Sequence, residues 1–231
     1  MTRSTAAFTI VELAVVIGTI ALLAGLLLPV LSHARVKARA IQCVGNLRQW
    51  GLAYRQYADD NKDFLPRRGQ GVQQLSVIDR PEDWFNALPP YLGSQPYQQL
   101  FAACQKLKPR ARSVFVCPVA PDPGGNHFLP YGMNMNLCPW VLSEPTKFAE
   151  VACPLQVVAM ADAPGPYAST YPSPKPYSVR ARHGGRVNIL FLAGQVNSFA
   201  GDYVGCDVGD PKRDDVRWLT GTQSDSTAAN Y

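Results

Sequence analysis

The sequence lacks most of the motifs that mark enzymes and metal proteins. It has three histidines, His33, His127 and His183, and they complete no zinc-ligand spacing. Its six cysteines (43, 104, 117, 138, 153 and 206) contain no CxxC pair. There is no GxSxG, no GxxxxGK[ST] and no HExxH, so a nucleophile elbow, a phosphate loop and a zinc helix are all missing. The Gly-Gly pairs at 124–125 and 184–185 stand alone as turn signals. No internal repeat is present. These absences leave nothing that points to an enzyme. Charge is also sparse, at 17% of residues, and between Phe8 and Leu31 it is reduced to one group, Glu12.

The apolar fraction of 47% is ordinary for a chain that folds and too high for global disorder. At 231 residues the chain has room for one domain or two small ones. Net charge is +5. Arg35, Lys37 and Arg39 follow the apolar run, and Lys106, Lys108, Arg110 and Arg112 form a second cluster. Membrane-flanking and solvated charge is the default for both; affinity for nucleic acid is the alternative, because a basic face attracts phosphate without a dedicated motif. The even cysteine count permits 15 full pairings, and some pairing is expected outside the cytoplasm.

The run from Phe8 to Leu31 is long enough to cross a bilayer as a helix, which takes about 20 residues. Three readings compete: a secretory signal, a plain membrane anchor, and the stem of a pilin-like subunit. Arg3 and the small-x-small stretch Ser32-His33-Ala34 favour a signal peptide cut after Ala34. Against it, the run exceeds the usual apolar region of about 7–15 residues. Glu12 also has no place in a simple anchor, since an acid costs about 2.5–3.5 kcal/mol at the bilayer centre. Such a carboxylate calls for a partner.

From Val36 the apolar positions Val36, Ala40, Val44, Leu47, Gly51, Tyr54 and Ala58 recur every three or four residues, with Arg35, Arg39, Gln42, Asn46, Arg48 and Gln49 on the remaining surface. This pattern predicts an amphipathic continuation of the helix to Asp60. Pro29 would bend it. Beyond residue 60, abundant proline and glycine predict a loop-rich domain with short strands at Ser113–Cys117, Leu155–Ala161 and a hairpin over Val187–Phe199, turning at Ala193-Gly194. Pro164–Pro176, with five prolines, reads as an exposed extended loop, and Gly221–Tyr231 as a frayed end.

The stretch Ala7-Phe8-Thr9-Ile10-Val11-Glu12-Leu13 resembles the leader junction of type IV pilins and of the pseudopilins of type II secretion. The resemblance implies cleavage between Ala7 and Phe8, N-methylation of Phe8, Glu12 as the fifth mature residue and Pro29 as the stem kink. Ala7 departs from the usual glycine. Cys43-Val-Gly-Asn46-Leu47-Arg-Gln49-Trp-Gly51-Leu-Ala53, Phe115-Val-Cys117-Pro118, Tyr131-Gly-Met-Asn134, Val157-Val-Ala-Met-Ala-Asp162 and Arg182-His183-Gly-Gly185 resemble a narrower pseudopilin group of planctomycetes and verrucomicrobia. That group is named for a histidine followed, after nine residues, by Asp-Gly. Here His183 leads to Ala193-Gly194, so the aspartate is missing.

The implied fold is α+β and pilin-like: leader 1–7, membrane and assembly half of the stem 8–31, amphipathic half 32–60, and globular head 61–231. The implied role is structural. The implied partners are other pilin-like subunits, a prepilin peptidase and an inner-membrane assembly platform, with the head in the periplasm. A DNA-uptake or adhesion pilin with a basic head is the first rival, and a soluble protein released after Ala34 the second.

The resemblance also marks Cys43 and Cys117 as a candidate disulfide, with two buried free thiols as the alternative. Without the aspartate, His183 is expected to bond a backbone carbonyl, and Asp162 to serve a turn or cap. Asp202, Asp207, Asp210, Asp214 and Asp215 crowd near the C-terminus. Asp202, Asp207 and Asp210 are weak calcium candidates, with solvated surface favoured and no cofactor expected.

Overall fold

The computed structural model describes residues 9–71, 73–125, 127–138 and 145–220, except for the side chains of residues 32 and 33. Helix α1 spans Ile10–Asp60 and runs through Pro29. Thr9 and Glu12 begin it as a reciprocal capping box. The Thr9 amide and hydroxyl donate to Glu12 Oε2 at 2.9 and 2.7 Å, and the Glu12 amide donates to Thr9 Oγ1 at 3.3 Å. Glu12 therefore finds its first partner inside its own chain. At the far end the Asp63 amide donates to the Ala58 carbonyl at 2.8 Å, with Lys62 in the left-handed region at φ 55°. That is a Schellman closure with lysine where glycine is usual.

Contacts divide the chain into two units, the first ending at Ala38 and the second covering Arg39–Tyr231. In the first unit the large apolar side chains from Ile10 to Leu31 are exposed, Leu26, Leu27 and Leu28 by 64–67%. This part of α1 is long and apolar enough to span a membrane.

In the second unit, the remainder of α1 packs on an α+β head. Cys43, Leu47, Trp50, Ala53, Tyr54 and Ala58 are buried. Leu47, Gly51, Tyr54 and Ala58 of the stripe that the periodicity predicts are buried, and the face is widened by Cys43, Trp50 and Ala53; Val36 is exposed, and Asn46, expected at the surface, is buried. Asn46 turns inward because the head offers it acceptors; its Nδ2 donates to the Val116 carbonyl at 2.9 Å. Two short helices follow, α2 (Trp84–Ala87) and α3 (Tyr97–Ala102).

The sheet comprises β1 (Leu129–Asn134), β2 (Val158–Gly165), β3 (Ser169–Thr170), β4 (Arg186–Phe191) and β5 (Val196–Ala200) in the order β3-β1-β2-β4-β5. All neighbours are antiparallel except β1 and β3. One core contains the buried α1 face with Met133, Met160 and Leu190; a second holds Val187, Ile189 and Phe191 against Val204, Val216 and Trp218. Burying both faces suits strands this rich in consecutive apolar residues.

Three expectations need correction. Ser113–Cys117 is a turn and not a strand: the Val116 amide donates to the Ser113 carbonyl, while the Val114 and Val116 carbonyls accept from Trp50 Nε1 and Asn46 Nδ2 of the helix. The strand expected at Leu155–Ala161 starts later, at Val158, and continues to Gly165. The proline-rich segment is no exposed loop, since Ala168, Ser169 and Thr170 are buried as β3 and its neighbour. The expected hairpin is present as β4–β5. Its connection covers residues 192–195, and Gly194 alone adopts positive φ, at 96°, so Ala193 escapes the strained position.

A buried cysteine, aspartate and histidine cluster

Four side chains from distant parts of the sequence meet between α1 and the sheet. Cys43 projects from α1, Cys117 from the turn it covers, Asp162 from β2 and His183 from the segment entering β4. One donor atom from each lies within 4.8 Å of the others. Cys43 Sγ donates to Asp162 Oδ1 at 3.5 Å, Cys117 Sγ lies 3.5 Å from His183 Nε2, and that nitrogen lies 3.7 Å from Asp162 Oδ2. Cys43, Cys117 and Asp162 are fully buried, and the His183 side chain is 5% exposed.

A second ring of groups holds these atoms in place. The Tyr131 hydroxyl donates to Cys43 Sγ at 3.2 Å, and the Asn188 amide donates to Asp162 Oδ2 at 2.9 Å. Arg182 Nη1 lies 3.5 Å from Asp162 Oδ1 and donates to the Pro130 carbonyl at 2.7 Å. Burial raises the Asp162 carboxyl to about 6, with the Arg182 charge offsetting part of the effect. The proximity of the two sulfurs raises Cys43 and lowers Cys117, which His183 and Arg182 lower further. Burial pulls His183 down, but its contacts with Cys117 and Asp162 outweigh that and the net shift is upward.

The histidine thus departs from the sequence expectation. It does have an acidic partner, Asp162 of β2, 3.7 Å away. Asp162, expected at a turn or cap, is instead a buried acceptor inside the sheet. Cys43 and Cys117 are brought together as free thiols.

The acidic residues near the C-terminus each have their own partner. Asp207 accepts from Arg180 at 2.7 Å, Asp210 from the Tyr171 hydroxyl at 3.1 Å and Asp215 from the Tyr203 hydroxyl at 2.9 Å, while Asp214 lies 3.6 Å from Arg217. Asp202 accepts from the next amide, that of Tyr203. The cleavage pair Ala7 and Phe8, the leader and the tail after Thr220 lie outside the described residues.

Residues 32–154 match the model of a family described as "Protein of unknown function (DUF1559)". This is just over half of the 231 residues. The chain belongs to the DUF1559 family. The match supports a pilin-like family. Within this DUF1559 chain the matched segment begins in the helix and carries Cys43 and Cys117, whereas Asp162 and His183 lie beyond it. No curated protein and no solved structure matches the chain.

A second feature is a groove of about 470 Å³ lined by Arg39, Arg110 and Arg112 with Gln42, Asn46 and Gln49, and no acid among the described residues lines it. It joins one charge from the first basic cluster to two from the second. Sequence spacing could not show that they meet.

Proposed function

We propose that this chain is a structural pilin-like subunit of a type II secretion pseudopilus or a type IV pilus-like filament. A prepilin peptidase would cut before Phe8 and leave Glu12 as the fifth mature residue. The observation that carries the reading is the uncovered apolar half of α1, whose large side chains from Ile10 to Leu31 find no cover among the described residues. Lipid covers such a surface before assembly, and the stems of neighbouring copies cover it afterwards. Gly18, Ala21, Ala24 and Gly25 allow stems to approach closely. Membership of a pilin-like family agrees with this. The subunit would wait in the inner membrane with its head in the periplasm, and the assembly platform would extract it.

The capping box changes the argument for Glu12 without removing it. A carboxylate bonded to Thr9 still carries a full negative charge, and the amine freed at Phe8 of a neighbour would neutralise it. N-terminal sequencing of the mature protein is the test. A methylated Phe8 start supports the subunit; a start at Arg35 makes the chain a secreted protein; an intact Met1 leaves a plain anchor.

The arginine groove favours a second reading, a fibre whose head binds DNA or another polyanion. It is compatible with the same stem and the same processing.

A further inference from the structure

We propose that Cys43, Cys117, Asp162 and His183 form a structural zinc site that ties the stem helix to the sheet of the head. The donor set is two thiols, one imidazole and one carboxylate from four separate segments. Soft sulfur combined with imidazole selects zinc over calcium or magnesium, which require oxygen.

The distances fit the ion. Zinc bonds of about 2.3 Å to sulfur and about 2.0–2.1 Å to nitrogen or oxygen give tetrahedral edges of roughly 3.6 Å between unlike ligands and roughly 3.3 Å between nitrogen and oxygen. The observed separations are 3.5 Å from Cys43 Sγ to Asp162 Oδ1, 3.5 Å from Cys117 Sγ to His183 Nε2, and 3.7 Å from His183 Nε2 to Asp162 Oδ2. Three donor pairs therefore stand within about 0.4 Å of zinc tetrahedral edges, Asp162 using one oxygen toward Cys43 and the other toward His183, and all four donors lie within 4.8 Å of one another. A disulfide between Cys43 and Cys117 would use two of these groups and leave the convergence of the other two without a purpose.

Charge also closes. Binding releases two thiol protons to solvent, so the ion, two thiolates and one carboxylate sum to one negative charge, which Arg182 balances at 3.5 Å from Asp162. Tyr131 and Asn188 already donate to Cys43 and Asp162, as outer groups around a metal do. All four protein positions are filled and the side chains are buried, so no place remains for a substrate and the role is structural.

The test uses the full chain, purified in detergent from the cell envelope without reductant or chelator. Elemental analysis is expected to find one zinc per chain, and peptide mapping to find no Cys43–Cys117 disulfide. Exchange with cobalt(II) is expected to give sulfur-to-metal charge-transfer absorption and the intense visible bands of a tetrahedral site. His183→Ala and Cys117→Ser should each weaken zinc binding by at least about tenfold, whereas Cys104→Ser, at an exposed position, should not. The wild-type cobalt spectrum decides the matter even if a variant fails to fold. A Cys43–Cys117 disulfide in metal-free protein, or cobalt bound without charge transfer, overturns the proposal.

Discussion

Gly51 of the stem helix rests against Gly194 of the β4–β5 connection. A Cβ placed on Gly51 would lie 3.3 Å from the Gly194 Cα and 2.9 Å from Leu190 Cδ1. Helix and hairpin approach this closely because Gly51 lacks a side chain; a Cβ on Gly194 would meet nothing, and what favours glycine there is its positive φ of 96°. Gly51→Ala gains about 1 kcal/mol of helix propensity and loses about 1–3 kcal/mol by overpacking. Gly51→Ala is therefore expected to leave the full chain unchanged or less stable by up to about 2 kcal/mol, and Gly51→Leu to lower it further. Denaturant midpoints in detergent measure both; a rise in midpoint for Gly51→Leu would show that the contact is not tight.

Asp83 supplies a pH dependence. It is fully buried, and burial raises it to about 7, against opposing effects of the Arg80 and Arg67 charges and the Gly69 amide. An acid at about 7 when folded and 3.8 when unfolded holds its proton better in the folded state. The folded state is therefore favoured most below the lower value, and stability falls as pH rises between the two, by at most roughly 4 kcal/mol. Asp83→Asn should flatten this slope and raise the melting temperature at pH 8. An equal slope in Asp83→Asn and wild type would assign the pH dependence to other groups.

The two functions of Glu12 can be separated. Glutamine also serves at the third position of a capping box, so Glu12→Gln retains the bond to Thr9 and loses only the charge. Thr9→Ala retains the charge and loses a cap worth about 1 kcal/mol. If the charge drives assembly, crosslinking of stems in the membrane should disappear in Glu12→Gln and persist in Thr9→Ala. The opposite pattern would make Glu12 a capping residue alone.

Replacing Arg39, Arg110 and Arg112 together tests the groove. If it binds DNA through three phosphate contacts, the triple alanine variant should lower the slope of log affinity against log salt by about 2–3. Binding with an unchanged slope, or no binding by wild type, would remove the polyanion reading.

Much of the stem was legible from local chemistry. The apolar run and the later three-and-four spacing are short-range patterns, and the hairpin at β4–β5 was visible as alternation around Ala193-Gly194. The buried face came out wider than the predicted stripe, because Asn46 and Trp50 were drawn inward by the Val116 and Val114 carbonyls, acceptors some seventy residues away. The proline-rich segment misled for a similar reason: β1 offers Ser169 and Thr170 a parallel edge, and Trp84 Nε1 donates to the Ala168 carbonyl.

By itself the sequence determined where a membrane-length helix lies and that a strand-bearing, loop-rich head follows, because propensity and periodicity act within a few residues. Only the tertiary structure decided that Asp162 is the acid beside His183, and that both face Cys43 and Cys117. Those four residues span 140 positions of chain, and no local rule sets the distance between atoms that only folding brings together.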